Sequence, residues 1–70
     1  MALDWTPLES SNVAAAAYDA DTRQLHVRFR NGATYAYHDV PETTHDAMLQ
    51  DPSPGSFVRS ELSGFRYSRT

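Results

Sequence analysis

The side chains able to do acid–base, metal or phosphate chemistry fall into a short list. The chain has three histidines (His26, His38 and His45), six arginines and nine carboxylates, with no Cys and no Lys. Without Cys there is no thiolate nucleophile, no disulfide and no thiolate metal site. Without Lys there is no Schiff base and no Walker-A phosphate loop. His26 and His38 could share a metal with Asp39 as third ligand. Histidine pairs on strands are usually solvated polar residues, so no metal and no cofactor is assigned. His45 is expected to be exposed. Ser, His and Asp are all present, but no GxSxG elbow is. A chain this short also offers no pocket that would exclude water, so no catalytic residues are assigned and an enzyme is not expected. What remains is recognition chemistry. Arg28 and Arg30 alternate on one segment and Tyr35 and Tyr37 on the next, the residue types that pair with phosphates and stack on bases.

The elements that must position these residues are small. Seventy residues fit one domain. Twenty-eight are hydrophobic and nine of those are Ala, leaving nineteen larger side chains for a core. A domain of this size buries only about 60% of its unfolded surface and needs most of them. The formal charge is −3 and the pI is near 5.4. Charge comes in blocks, with Arg23, Arg28 and Arg30 in the middle and Arg59, Arg66 and Arg69 in the tail. The longest apolar run, Val13 to Tyr18, is far short of a membrane span, and no basic-then-apolar leader opens the chain. The expectation is a soluble cytoplasmic domain, not a membrane protein.

Leu25 to Arg30 alternates apolar and polar residues, the mark of a half-buried strand. Asn31-Gly32 follows as a hairpin signal, and Thr34 to His38 returns. Upstream, Val13 to Tyr18 runs into the turn-forming Asp19-Ala20-Asp21-Thr22 and reads as a strand despite its four alanines. A first helix is expected to start at Asp39 or Val40, with Pro41 in its first turn. Val40, Thr44, Ala47 and Met48 would share its buried face. It should stop before Pro52. Ser53-Pro54 caps a second helix whose stripe is Phe57, Val58 and Leu62 and whose stop is Gly64. The predicted fold is α+β: a three-stranded antiparallel meander followed by two short helices packed on one face.

In this order and spacing the residues resemble the KTSC domain. The resemblance runs from Ser10 to Tyr67 behind a lead-in of residues 1–9, and treats residues 1–70 as a single domain. It rests on Ser10-Ser11 with Val13, Tyr18-Asp19, Leu25-x-Val27-x-Phe29, Gly32, Tyr35-Ala36-Tyr37, Val40-Pro41 and Ser53-x-Gly55 before Phe57-Val58. KTSC domains occur at the C-terminus of some lysyl-tRNA synthetases and as small free-standing bacterial proteins. The family's function is unknown, with RNA binding suggested. The resemblance thus implies a small binding module, with Tyr35 and Tyr37 as the family's Tyr-x-Tyr motif.

The hairpin register decides what those tyrosines do. With Asn31-Gly32 as a two-residue turn, Arg28 pairs with Tyr35 and His26 with Tyr37, and both rings join the open face of the sheet. With Arg30-Asn31 as a type I turn and Gly32 as a bulge, Val27 pairs with Tyr35 and Leu25 with Tyr37, and both rings enter the core. The bulged register gives the cleaner amphipathic sheet and is favoured. The candidate RNA surface is then the open face with His26, Arg28, Arg30 and His38, extended by Arg59 and Arg66. Arg28 and Arg30, as exposed residues, should together be replaceable by Gln with little loss of stability. The expected partner is single-stranded RNA or an RNA-associated protein. An acidic chain gains little from counterion release, so RNA binding should be weak. The alternative is a protein-interaction module, monomeric or weakly dimeric through a free sheet edge. Trp5 is expected to fold back as a lid on the core.

Overall fold

The computed structural model describes residues 3–70, so the first two residues of the lead-in lie outside it. The predicted meander is its centre. Strands β2 (Val13–Asp19), β3 (Gln24–Phe29) and β4 (Thr34–Tyr37) pair antiparallel in sequence order. The sheet has five strands rather than three. Thr6–Pro7 (β1) pairs with β2, and Tyr67–Arg69 (β5) pairs with β4. Two- and three-residue strands are too short for a period of two to register in a sequence. They form because the outer edges of β2 and β4 hold backbone groups that need partners. Leu8 N–H donates to the Ala14 carbonyl at 3.0 Å, His38 N–H to Arg66 at 2.8 Å and Thr70 N–H to Thr34 at 2.8 Å.

The hairpin adopts the bulged register. Val27 lies opposite Tyr35 and Leu25 opposite Tyr37. Gly32 N–H donates to the Phe29 carbonyl at 3.0 Å and Phe29 N–H to Ala33 at 2.8 Å, closing a turn over Arg30 and Asn31. Gly32 takes φ +94°, which a residue with a Cβ adopts only under strain. A slip of one residue would have moved the whole apolar set of β3 to the other face. Instead Val13, Ala16, Leu25, Val27 and Tyr37 enter one core with Val40, Met48, Phe57, Val58 and Leu62. Ser10 Oγ accepts from the backbone N–H of Asn12 and Val13, both at 3.2 Å, turning the chain into β2.

Two helices cover that face, α1 (Glu42–Gln50) and α2 (Pro54–Glu61). α2 begins as expected, with Ser53 as N-cap, Pro54 in the first turn and Phe57 and Val58 buried. α1 starts later than expected. Its N-cap is Pro41, because Asp39 sits in the left-handed region at φ 57° and turns the chain before the helix can begin. Val40 is therefore buried from the loop, its N–H donating to the Arg23 carbonyl at 2.9 Å. Ala47 is exposed, while Thr44, His45 and Leu49 are half-buried beside Met48. His45, expected to be exposed, stacks on Tyr18 with ring centroids 5.4 Å apart and planes 13° from parallel. The Tyr18 hydroxyl is itself anchored to the Val40 carbonyl.

Candidate functional site

The open face of the sheet holds only part of the expected surface. Arg28 is exposed, but its guanidinium carbon sits 4.3 Å over the ring of Trp5. Trp5 also meets His26 edge-on, with centroids 6.4 Å apart. Trp5 therefore covers the face opposite the helices and is no lid on the main core. Thr6 pairs with Ala16, a core-face residue, so alternation sends Trp5 to the other side. Burial lowers the pKa of His26, and His38 lowers it further, against the opposing pull of Asp19.

His38 links three strands. Gln24 Nε2 lies 3.2 Å from its Nδ1, and its Nε2 lies 3.0 Å from Ser68 Oγ. This is a Ser–His–amide row, with a neutral amide where a catalytic triad has a carboxylate to hold an imidazolium. Asp39, imagined as a metal ligand, lies 3.8 Å from Arg66 in an exposed pair. Among the described residues no three His, Asp or Glu side chains gather where a metal could be held.

The larger concavity lies on the other face, between β4, β5 and α2. It is a cleft of about 590 Å³, open to solvent along one side. Its floor is the tyrosine pair. Tyr37 is buried and Tyr35 half-buried, both facing the helices because of the bulged register. β5 adds Tyr67 directly opposite Tyr37. The Tyr67 ring lies 5.6 Å from Tyr35 and 5.7 Å from Tyr37, and Phe29 meets Tyr35 edge-on at 5.5 Å. Tyr67 is 60% exposed, the one large apolar side chain among the described residues left so open. Burial, reinforced by the Tyr67 and Tyr35 phenols, pushes the pKa of Tyr37 up, so its hydroxyl stays neutral and able to donate.

The opposite end of the cleft is polar. There the β3–β4 turn brings Arg30 and Asn31 beside Asn12, and the start of α2 brings Gly55. A Cβ on Gly55 would lie 3.3 Å from Asn12 Nδ2 and 3.6 Å from Ser10 Oγ. Glycine at this position lets α2 approach the Ser10–Asn12 loop, which accounts for the Ser53-x-Gly55 motif. Arg30 Nε donates to the Ser10 carbonyl, and its Nη2 donates to the Leu8 carbonyl at 3.1 Å. Arg30 is thus tied to the lead-in, and replacing it removes both of these bonds. Arg59 lines the cleft from α2. Among the described residues that line it, none is acidic, against nine carboxylates in the chain.

The site residues expected on one surface are therefore divided. Tyr35, Tyr37, Arg30 and Arg59 meet in the cleft. His26, Arg28 and His38 sit on the opposite face, and Arg66 is engaged with Asp39. Sequence reasoning placed Phe29 beside the tyrosine pair, as found, but missed Tyr67, Asn12 and Gly55 as its partners. The signal for Tyr67 was the alternation Tyr67-Ser68-Arg69, too short to stand out.

Comparison with known proteins places this geometry. The family model of the KTSC domain matches residues 9–67. A protein of Tsukamurella paurometabola is 46% identical over 52 residues, covering 74% of this chain and 78% of its own. An uncharacterized protein of Stutzerimonas stutzeri is 38% identical over 48 residues, covering 69% and 68%. The crystal structure of a KTSC domain protein from Yersinia pestis superposes with a TM-score of 0.90 at 34% identity, covering 99% of both chains. The matched stretch holds strands β2 to β4, both helices and every lining residue of the cleft from Ser11 to Tyr67, and the chain belongs to the KTSC domain family.

Proposed function

We propose that this KTSC domain is a non-catalytic binding module for single-stranded RNA, and that it binds through the cleft and not through the open face of the sheet. One observation carries the reading. Residues far apart in sequence (the Ser10–Asn12 loop, the β3–β4 turn, the tyrosine pair, Gly55 and Arg59) converge on one concavity with aromatic walls, two arginines and no acidic lining residue among those described. Stacking on tyrosine and pairing to arginine is how single strands are held without a paired duplex. The amide of Gln24, standing where a triad has a carboxylate beside His38 and Ser68, supports the non-catalytic part. Pairing through a sheet edge is the weaker alternative. Both outer strands are short and exposed, and Pro7 withholds a donor from one of them.

The test is fluorescence anisotropy with a labelled single-stranded RNA at low salt. Binding is expected, falling steeply as salt rises. Arg59→Gln and Tyr67→Ala, both exposed, should each weaken it about tenfold or more while the protein stays folded. Arg28→Gln should leave it unchanged. Absence of binding at low salt would sink the reading, and loss of binding in Arg28→Gln alone would return the site to the open face.

A further inference from the structure

Besides being lined by arginine and tyrosine, the cleft is polarised along its length, and the register orders it. Phe29 lies at the hairpin end of the sheet, opposite Val13, and Arg30 and Asn31 form the turn itself. Tyr35 comes next and Tyr37 is two residues farther along β4. The hairpin end therefore carries Arg30, Asn31, Asn12 and Gly55, and the far end carries Tyr37 and Tyr67. A ligand that fills this cleft has an anionic, hydrogen-bonding head and a flat aromatic body.

Size limits how much of a chain can enter. A volume of about 590 Å³ falls in the range of roughly 300–1,000 Å³ typical of clefts that hold one small ligand. A groove that tracks a strand would instead carry cations and stacking rings along the sheet. Among the other cationic side chains, Arg28 stacks on Trp5 on the other face, Arg66 lies beside Asp39, and Arg69, opposite Tyr35 on β5, does not line the cleft. Two arginines line the cleft. An internal phosphodiester carries one negative charge, whereas a terminal phosphomonoester carries about −1.5 to −2 near neutral pH. The monoester matches two guanidinium groups, and Arg30 is already fixed in place by the Leu8 and Ser10 carbonyls.

We propose that the cleft captures a single nucleotide bearing a terminal phosphomonoester, phosphate toward Arg30 and Arg59 and base on the exposed face of Tyr67, supplied either as the phosphorylated end of an RNA or as a free nucleoside monophosphate. This rests on the cleft being the RNA site, and narrows it from a strand to an end.

The experiment is a titration followed by amide NMR shifts or calorimetry at low salt. The probes are adenosine 5′-monophosphate, adenosine, inorganic phosphate, and single-stranded oligoadenylates of one to eight nucleotides with and without a terminal phosphate. The monophosphate should bind at least tenfold more tightly than adenosine or inorganic phosphate, shifting Tyr67 and Arg59 amides. Lengthening the oligomer should add less than threefold per site once statistical effects are removed. Removing the terminal phosphate should cost about tenfold, and Arg59→Gln should erase that difference. Oligomers that bind better with every added nucleotide, indifferent to the terminal phosphate, would refute the inference while leaving RNA binding in place. Binding of the free monophosphate without any phosphorylated oligomer would support the single-nucleotide site and overturn the RNA reading. Failure of every probe to bind would overturn both.

Discussion

Replacing His45 with Phe should make this protein more stable and flatten its response to acid. The Nε2 atom of His45 is buried with no hydrogen-bond partner. A buried polar group left unpaired costs about 1–3 kcal/mol, and an apolar ring removes that cost. The stack on Tyr18, with centroids 5.4 Å apart, is available to phenylalanine as well. Phe is slightly larger and helix propensity barely changes, so a net gain of about 1 kcal/mol is expected near pH 7.5. In a domain of this size that raises the melting midpoint by about 4–8 °C. Acid should widen the difference. Burial lowers the pKa of His45 in the fold, only partly opposed by Asp46 and Glu42, whereas the unfolded chain takes up the proton near the ordinary value of 6.5. The unfolded state therefore binds more protons below that value. Stability is complete above about pH 6.5 and is lost as the pH falls from there through the lowered folded value. His45→Phe abolishes this share and leaves the similar share of His26. Urea unfolding at pH 7.5 and pH 5.0 reads both effects. A variant less stable than the parent at pH 7.5, or a gain that shrinks on acidification, would refute the account. His45→Ala, which loses the stack along with the nitrogen, should fall below the Phe variant at both pH values.

Three further outcomes follow from the same packing. Arg30→Gln should lower stability by about 1 kcal/mol, since it loses charged hydrogen bonds to Leu8 and Ser10 that are partly open to solvent, while Arg28→Gln should change it by less and alter the fluorescence of Trp5; thermal melts and emission spectra separate the two. Tyr37→Ala should cost about 3–5 kcal/mol and leave the domain largely unfolded by circular dichroism, whereas the exposed Tyr67→Ala should remain folded. Gly32→Ala should lose about 1–2 kcal/mol by chemical denaturation, because φ +94° admits a Cβ only under strain even though open space surrounds the position.

Short-range signals in the chain specify the hairpin and the second helix. Period-two alternation in Leu25–Phe29 and the Asn31-Gly32 turn specify a hairpin, and the amphipathic sum over both strands selects the bulged register, because only that register puts Leu25, Val27, Tyr35 and Tyr37 on one face. Ser53-Pro54 and the Phe57-Val58-Leu62 stripe specify α2 in the same way, through capping and helical spacing. These signals are legible because they arise between residues a few positions apart. The remainder was decided by the tertiary structure. β1 and β5 are strands only because β2 and β4 offer them unpaired edges, a property of the folded sheet and of no window of residues. The direction of each arginine came the same way. Arg28 and Arg30 alternate to the same side in an extended strand, but the turn at Arg30 swings its guanidinium to the Leu8 and Ser10 carbonyls, while Trp5, just before a strand absent from the sequence pattern, claims Arg28. The cleft itself exists because β5 carries Tyr67 alongside Tyr37 while Gly55 lets α2 close on the Ser10–Asn12 loop. Contacts over tens of residues depend on where the chain returns, and only packing of the whole domain settles that.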